Sequence, residues 1–332
     1  MKLIIVRHGE SEANKKGIHQ GQIIDTSLSE EGKKQAKMVA ERLKGENIEV
    51  IYSSDLKRAF ETAEELGKIM QIKVYPDKRL REFSWGKFDK TPEKREKLFK
   101  EFYKKELTKG ISKYEIRPPD GENFWDLINR IKSFLEEIKK YNKTVVVYSH
   151  GGAIKVVLNL LEGRDKEKDD FRGFHQENTA INEAILHKGE WKITKVNDFE
   201  HVKLTKPDKE LYGNQETIYD QIKEIVSEKI PESVSEAYLF GSTIKKEFGK
   251  YAVPFGRHKG SNVDIMVIIK KEHIPLKWEY IKQEELWTIY QGSNLKIDRT
   301  KHRIDFYVIK KKDKEKALKN LEEAGWSPEK IK

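Results

Sequence analysis

The chain has 332 residues and contains no cysteine. This absence excludes disulfide bonds, thiolate nucleophiles and zinc sites built on cysteine. Long apolar runs are missing as well: no stretch approaches the ~20 apolar residues of a membrane-spanning helix, so we expect no membrane partner. The first apolar run, residues 3–6, is too short for a signal peptide. These absences predict a cytoplasmic protein.

Charged side chains, by contrast, are abundant. They make up 37% of the residues, with a net charge of +10, while 36% of the residues are apolar. Many lysines and glutamates without cysteine are typical of heat-adapted proteins. Two interpretations of the positive charge stay open, namely a solvated lysine-rich surface and attraction to phosphorylated ligands or nucleic acid. The length predicts two domains.

Strand and helix signals alternate through the first two hundred residues. Apolar runs at 3–6, 49–54 and 144–149 predict buried strands, and apolar residues at helical spacing follow each of them. Ser29 is expected to cap the first long helix. Residues 180–196 predict a hairpin around Lys188-Gly189. This alternation predicts an α/β fold of three layers, in which helices cover both faces of a mostly parallel sheet.

Two stretches interrupt the pattern. Residues 83–121 are rich in lysine, glutamate and aromatic residues, and we interpret them as a helical insertion over the active site or as a surface excursion. The polar stretch 198–212 predicts a boundary, which gives domains of 1–203 and 204–332. Beyond it, a helix near 218–226, strands at 236–242, 262–269 and 303–309, and a closing helix capped by Asp313 predict a smaller α+β domain.

Arginine and histidine stand side by side where the first strand ends, at Arg7-His8-Gly9. In an open α/β sheet such strand ends gather along one edge, where ligands bind. Phosphoryl transfer needs an in-line nucleophile and dispersed positive charge, which histidine and arginine supply. Each residue alone has an ordinary structural explanation, because a histidine at a strand end usually satisfies a turn.

The residues Arg7-His8-Gly9-Glu10-Ser11 and Asn14 resemble the signature of the histidine phosphatase superfamily, which has the phosphoglycerate-mutase-like fold. Further stretches follow in the order of that family: 19–32, 53–63 with Arg58, 80–91 with Glu82, 148–152 with His150, and 177–186. The resemblance covers roughly residues 1–200 and implies that fold for the first domain.

The resemblance also implies a role for each matched residue. His8 is the nucleophile and forms a phosphohistidine. The phosphoryl group is bound by Arg7, Asn14, Arg58 and His150, and a protonated His150 adds a further positive charge. Glu82 protonates the leaving oxygen and then deprotonates the attacking water. No metal or other cofactor is implied for this domain.

The substrate implied by the resemblance is a small phosphorylated molecule. The residues after Glu82 and the run Pro118-Pro119-Asp120-Gly121 resemble the phosphatase branch of the family, although Asp120 stands at a glycine position and Asn123 at a serine. We therefore expect hydrolysis of small phosphomonoesters. The alternative is a phosphoglycerate mutase-type phosphotransferase, with Arg95 in a mutase-like role.

The second domain resembles the minimal nucleotidyltransferases of the DNA polymerase β type. Gly241 and Ser242 match the Gly-Ser at a strand-to-helix junction, whose backbone amides would cradle phosphates. Asp264 and Asp305 match two of the acids that hold Mg²⁺ in that family. Asn262 stands where the family has a further acid, which predicts weaker metal binding and slower transfer.

Three interpretations of the second domain stay open. It is a degenerate nucleotide-binding module, an active nucleotidyltransferase that uses Asp264, Asp305 and Mg²⁺ on ATP or CTP, or a structural or protein-binding unit. Its basic segments, among them residues 310–312, could contact nucleic acid. The alternative for the whole chain is a nucleotidyltransferase or nucleotide-binding regulatory protein in which the second domain carries the main role.

Overall fold

The computed structural model describes residues 1–91, 94–164, 171, 173–202, 209–255, 258–270, 274–275, 277–283, 286–297 and 299–332. The chain divides into two units. The first comprises residues 1–171 and 176–202, and the second comprises 172–175 and 203–332. The predicted boundary between 203 and 204 falls in 203–208, which lies outside the described residues.

A six-stranded sheet forms the centre of the first unit. Its strands are β1 (Lys2–Arg7), β2 (Ile48–Ser53), β3 (Val74–Pro76), β4 (Thr144–Ser149), β5 (Ile181–His187) and β6 (Glu190–Asp198). The strand order is β3-β2-β4-β1-β5-β6. Neighbouring strands from β3 to β1 are parallel, whereas β5 is antiparallel to both of its neighbours, β1 and β6. The predicted, mostly parallel sheet is therefore confirmed. The predicted hairpin turns at Lys188 and Gly189, both of which have positive φ, as a tight hairpin turn requires.

Helices cover both faces of this sheet. They are α1 (Glu12–Lys15), α2 (Glu30–Leu43), α3 (Lys57–Met70), α4 (Arg95–Thr108), α5 (Phe124–Ile138) and α6 (Gly151–Leu161). Apolar residues of α2 and α3 pack with Ile4 and Val6 of β1. Because side chains alternate along a strand, the equally buried Leu3 and Ile5 face the opposite side, where α6 contacts β1. Ser29 caps α2 as predicted, since its side chain accepts a hydrogen bond from Gly32 N.

The segment 83–121 is a closed excursion with only partly helical structure. It contains a 3-10 helix over Gly86–Lys90 and the longer α4. Its two ends meet, because Lys87 N donates to Pro119 O at 2.8 Å and Glu122 N donates to Ser84 O at 3.1 Å. Gly86 lets them meet: its φ is +55°, and a Cβ there would lie 2.0 Å from Pro119 O.

The second unit has its own sheets and helices. One sheet has the order β12-β13-β14-β11-β8-β15, and a small sheet has the order β10-β9-β7. The strands are β7 (Lys209–Leu211), β8 (Val234–Phe240), β9 (Gly249–Phe255), β10 (His258–Gly260), β11 (Val263–Ile269), β12 (Glu279–Gln283), β13 (Thr288–Ile297), β14 (Thr300–Ile309) and β15 (Glu329–Lys330). The helices are α7 (Gln215–Lys229) and α8 (Lys314–Glu323).

The sequence predicts β8, β11, β14 and both helices of this unit, but not its other strands. Asp313 occupies the N-cap position of α8 as expected, yet its side chain makes no cap hydrogen bond, so that part of the prediction is wrong. Residues 173–175 pair with β12, where His175 N donates to Tyr280 O at 2.6 Å.

Among the described residues, no helix is long and apolar enough to cross a membrane. The cytoplasmic location stays a prediction.

Candidate active site

Three parallel strands of the first unit end at the predicted site. β1 leads into His8, β2 leads into the turn before α3 with Arg58, and β4 leads into His150 at the start of α6. His8 N donates to Ser149 O at 3.0 Å, which ties the ends of β1 and β4 together. The edge of the sheet therefore gathers residues that are far apart in the sequence, as expected for an open α/β sheet.

His8 is buried, with 4% of its surface exposed, and its ring is held in one orientation. Its Nδ1 lies 2.7 Å from Gly9 O. Because a carbonyl oxygen only accepts, Nδ1 carries the proton, and a neutral His8 keeps its lone pair on Nε2. The His8 carbonyl accepts from Asn178 Nδ2 at 3.1 Å and from Thr179 N at 3.3 Å. The sequence-predicted nucleophile is thus a fixed ring with a basic Nε2.

The turn after His8 is coupled to the helix that carries Arg58. Gly9 N donates to Thr62 Oγ1 at 3.1 Å, and Thr62 Oγ1 donates to Arg58 O at 2.6 Å. A Cβ on Gly9 would lie 2.7 Å from Gly32 O, so only glycine fits this close approach. The glycine of the Arg-His-Gly turn therefore allows His8 to pack beside α2 and α3.

His150 lies against His8, with ring centroids 5.1 Å apart. It is fully buried, and its Nε2 lies 2.8 Å from Ser54 Oγ. Burial, together with the positive charge of Arg58, holds the pKa of His150 well below its usual value. His150 is therefore neutral before a ligand binds, and its buried Nδ1 has no hydrogen-bond partner in the described part of the chain.

The two arginines differ in what holds them. Arg7 Nη1 donates to Gln176 O at 2.7 Å. Arg58 is 1% exposed; its Nη2 donates to Gly21 O at 3.0 Å, and its Nη1 lies 3.5 Å from an oxygen of Asp25. Arg58 Nε and Nη1 have no hydrogen-bond partner among the described residues. Burial lowers the pKa of Arg58. Buried donors without acceptors are costly, so this guanidinium is built for an anion.

Asn14 is the third residue of the short helix α1 and takes part in the capping box at its N-terminus. Asn14 N donates to Ser11 Oγ at 3.1 Å, and Ser11 N donates to Asn14 Oδ1 at 3.3 Å. Because Oδ1 is an acceptor in this capping box, a phosphate would meet the Nδ2 group of Asn14. Its role in phosphate binding stays a prediction.

Glu82 is held by backbone amides. Its Oε2 accepts from Gly152 N at 2.9 Å, and its Oε1 accepts from Phe83 N at 2.8 Å. The neighbouring arginines do not take up this carboxylate, because Arg79 pairs with Asp77 and Arg81 pairs with Asp55. Glu82 therefore faces the start of α6, one turn from His150.

The residues that hold Glu82 were not predicted from the sequence. A Cβ on Gly152 would lie 2.3 Å from Glu82 Oε1, so this glycine makes room for the carboxylate. The Glu82 carbonyl accepts from Gln22 Nε2 at 2.8 Å and from Arg130 Nη2 at 3.1 Å. The double glycine after His150 was the one visible signal, because a helix rarely begins with two glycines without a packing reason.

Arg95 is the residue of the mutase alternative. It is buried, its Nη1 lies 3.3 Å from Asp89 Oδ1, and its guanidinium lies over the Trp85 ring. Asp89 is fully buried and also accepts from Gln22 N at 3.1 Å. The charge of Arg95 is therefore already balanced by Asp89.

In the second unit, the predicted residues lie on neighbouring strands. Asp264 of β11 is directly paired with Asp305 of β14, and the two strands are parallel. A Cβ on Gly241 would lie 2.7 Å from Asp264 Oδ2. Ser242 follows in an irregular turn, where its carbonyl accepts from Glu247 N at 2.9 Å. No helix begins at this turn, so the expected phosphate cradle at a helix start is wrong.

The predicted magnesium site at Asp264 and Asp305 was tested against these contacts. Asp305 Oδ2 accepts from Asn262 Nδ2 at 2.8 Å and pairs with Arg303 Nη2 at 2.8 Å. Two donors, one of them cationic, thus hold one of the two carboxylate oxygens of Asp305, and a guanidinium beside this carboxylate does not fit a metal site. Across the described ranges, no group of three or more acidic or histidine side chains forms a candidate metal site. Mg²⁺ binding here stays a prediction that requires Asp305 to exchange these partners.

The comparisons with known proteins concern the first unit. The family model of the histidine phosphatase superfamily (branch 1) matches residues 3–199. Phosphoserine phosphatase 1 of Hydrogenobacter thermophilus is 36% identical over 57% of this chain and 88% of its own length. The metal-independent phosphoserine phosphatase of Arabidopsis thaliana is 30% identical over 60% of this chain and 83% of its own length.

A solved structure is similar over the same region. It is a histidine-to-alanine mutant of phosphoserine phosphatase from Entamoeba histolytica in complex with phosphoserine. The two chains are 29% identical with a TM-score of 0.50, and the match covers 60% of this chain and 98% of the other.

Proposed function

This chain belongs to the histidine phosphatase superfamily (branch 1), and on that basis we propose that its first unit hydrolyses small phosphomonoesters through a phosphohistidine at His8. The observation that carries the proposal is the buried guanidinium of Arg58, whose Nε and Nη1 make no hydrogen bond in the described chain although Asp25 lies 3.5 Å from Nη1, in the same site as the paired His8 and His150 rings. A dianionic phosphoryl group supplies the missing acceptors.

In the first step, His8 Nε2 attacks phosphorus and the bond from phosphorus to the ester oxygen breaks. Glu82, in its protonated form, gives its proton to the leaving oxygen, so that a neutral alcohol departs. Arg7 and Arg58 balance the charge of the transferring oxygens. His150 donates from Nδ1 to the phosphoryl group, while its Nε2 lies 2.8 Å from Ser54 Oγ.

In the second step, water attacks the phosphorus of the phosphohistidine and the bond from phosphorus to Nε2 breaks. Glu82, now a carboxylate, takes the proton of the water. The amide donors Gly152 N and Phe83 N keep the carboxylate in place for both steps. The products are inorganic phosphate and the free enzyme.

The test is hydrolysis of an aryl phosphate in EDTA by the wild type and by His8→Ala. We expect metal-independent turnover and an acid-labile, alkali-stable phosphoenzyme in the wild type, and neither in His8→Ala. A wild type that is inert across a panel of phosphomonoesters would contradict the proposal.

Phosphoserine is the first natural substrate to include in the panel, since the relatives named above carry that activity in their names. Mutase-type transfer remains the alternative. We favour hydrolysis because Asp89 already balances Arg95, which leaves less positive charge for a substrate carboxylate. Isomerisation of phosphoglycerate by the wild type, lost in Arg95→Ala, would favour the mutase.

For the second unit we propose a degenerate nucleotidyltransferase-like module that does not transfer nucleotides. The contact between Arg303 and Asp305 supports this over active transfer, because a guanidinium stands where the metal charge would act. Incubation with labelled ATP or CTP and Mg²⁺ tests the proposal. Transfer that Asp264→Ala abolishes would favour the active enzyme, and absence of nucleotide binding would favour a structural unit. Nucleic acid binding has no support beyond the basic segments.

A further inference from the structure

A cavity of about 560 Å³ in the first unit extends from the proposed acid, Glu82. Glu82 and Gly152 line one end of it, next to the His150 turn. Seven of the other fourteen lining residues are Phe, Tyr or Trp, and we call this space the aromatic cavity, although Arg95, Lys113 and Lys155 also line it. Its rings are Phe83, Trp85, Phe99, Tyr103, Tyr114, Phe124 and Phe171.

The rings of the aromatic cavity form two groups, and within each group the rings contact one another. In the first, Trp85 contacts Phe83 and Phe99 edge to face, with centroids 5.0 Å and 4.6 Å apart. In the second, Phe124 lies 5.6 Å from Tyr114 and 5.9 Å from Phe171. Such contacts stabilise ring positions, so the walls are preformed rather than adaptable.

Of the three cations that line the aromatic cavity, Arg95 is buried and its charge is balanced, whereas Lys113 is exposed and Lys155 is half-buried. Arg95 lies over Trp85, with its guanidinium carbon 5.1 Å from the ring centroid, and it pairs with the fully buried Asp89. Gly21 permits this pair, because a Cβ there would lie 2.3 Å from Asp89 Oδ2. The ion pair holds Arg95 in place where it lines the cavity, and the pair of Arg95 and Asp89 has no net charge.

The position of Glu82 decides which part of a substrate enters the aromatic cavity. In the proposed reaction Glu82 protonates the leaving oxygen, so the alcohol must extend from Glu82 into the space that Glu82 lines. A cavity of this size is typical of sites for ligands much larger than the side chain of serine. An alcohol as small as serine would leave the rings uncovered.

We propose that the preferred substrate is a phosphomonoester of an alcohol that carries an aromatic or similarly bulky apolar group. This inference rests on the proposed phosphatase activity and adds the class of the leaving alcohol. Burial of an aromatic group against these rings would then contribute to transition-state binding.

The experiment compares naphthylethyl phosphate with ethyl phosphate in the full-length protein. Both esters release a primary alcohol of similar acidity, so their intrinsic reactivity differs little and the ratio of their kcat/KM values reports binding in the cavity. We expect a ratio on the order of 100-fold in favour of naphthylethyl phosphate, given ~25 cal/mol per Å² of buried apolar surface. A ratio below about threefold overturns this proposal but leaves the phosphatase activity intact.

Variants of the cavity add a second readout. Phe99→Ala and Trp85→Ala should each lower the ratio by about tenfold or more, because each removes a large apolar contact. Tyr75→Ala, which removes an exposed aromatic side chain of β3 outside the cavity, should leave the ratio unchanged. A ratio that is high in every variant would place the aromatic group elsewhere and overturn the proposal. If no ester in any panel is hydrolysed, the proposed function fails, and this inference fails with it.

Discussion

The rings of His8 and His150 lie with their centroids 5.1 Å apart and their planes inclined at 56°. Two imidazoles this close in a buried site cannot both carry a positive charge without strong repulsion. Burial together with Arg58 lowers the pKa of His150, so that this ring is neutral before a ligand binds, and His8 must be neutral at the moment it attacks. Arg7 and Arg58 therefore supply positive charge beside a neutral His150.

We predict that the protein takes up a proton from solution when an oxyanion binds in the site. A bound dianion removes much of the repulsion that Arg58 and Arg7 exert on His150, which raises its pKa. Binding of tungstate near neutral pH should therefore take up close to one proton, measured by calorimetry in buffers of different ionisation enthalpy. His150→Gln should bind tungstate without this uptake. No uptake by the wild type would contradict the expected protonated state of the complex.

Stability should fall on mild acidification because of a second histidine. Burial lowers the pKa of His201 to about 4, while its Nε2 lies 3.0 Å from Thr179 Oγ1. Between the unfolded pKa of about 6.5 and this value, the unfolded chain binds more protons, so the free energy of unfolding falls by at most ~1.4 kcal/mol per pH unit for this group. His150 adds a loss of the same sign. Urea unfolding from pH 7 to 4 should show a shallower slope in His201→Gln, and the exposed His187→Gln serves as the control.

Gly152→Ala should impair catalysis through Glu82. The new Cβ would lie 2.3 Å from Glu82 Oε1, so the carboxylate must move away from the leaving oxygen. We expect kcat to fall by about 100-fold, the lower range of a general acid's contribution. Gly45→Ala is the matched control, since a Cβ there meets no atom within 4 Å. Full activity in Gly152→Ala would show that Glu82 need not hold this position.

The residues of the candidate site could be predicted from the sequence, because their side-chain chemistry and their order along the chain both match one family. His8, Arg58 and His150 lie at strand ends or helix starts, Glu82 lies in a connecting segment, and the order of the four matches one family. The residues that hold them left little trace, because Gln176 acts through its carbonyl oxygen and Gly152 through its amide and lack of a side chain. Any residue type offers a carbonyl, so no pattern of side chains predicts such a contact.

In the second unit, the strands of the core could be predicted from the sequence, but the side-chain contacts of the candidate site could not. Its core strands were predicted from apolar runs, and the facing positions of Asp264 and Asp305 follow from the parallel pairing of β11 and β14. The contact of Arg303 with Asp305 was not predictable, because it depends on how a side chain two residues earlier in the same strand is turned. The strands β10, β12 and β13 carry too many polar residues for the apolar pattern that identified β11, and a proline, Pro254, interrupts the apolar run of β9.

Arg58→Lys should weaken both binding and turnover. Lysine keeps the charge but loses the planar set of donors, so the two guanidinium nitrogens without acceptors in the described chain cannot be replaced by one ammonium group. We expect kcat/KM for an aryl phosphate to fall by about 100-fold or more, as for loss of a donor to a transition-state oxygen. The matched control is Arg42→Lys, which alters a partly exposed ion pair with Asp198. A loss below about threefold would exclude Arg58 from the phosphate site.

Asn262→Asp should raise the Mg²⁺ affinity of the second unit. The change removes the Nδ2 donor from Asp305 Oδ2 and adds a carboxylate beside Asp264, so the local charge favours a divalent cation. We expect an affinity gain of about tenfold by calorimetry, and a larger gain when Arg303→Gln also frees Asp305 of its cationic partner. Asn294→Asp, an exposed position of β13, controls for the added charge. If the affinity is unchanged in the double variant, these carboxylates do not form a metal site, because both groups that compete with the metal are then gone.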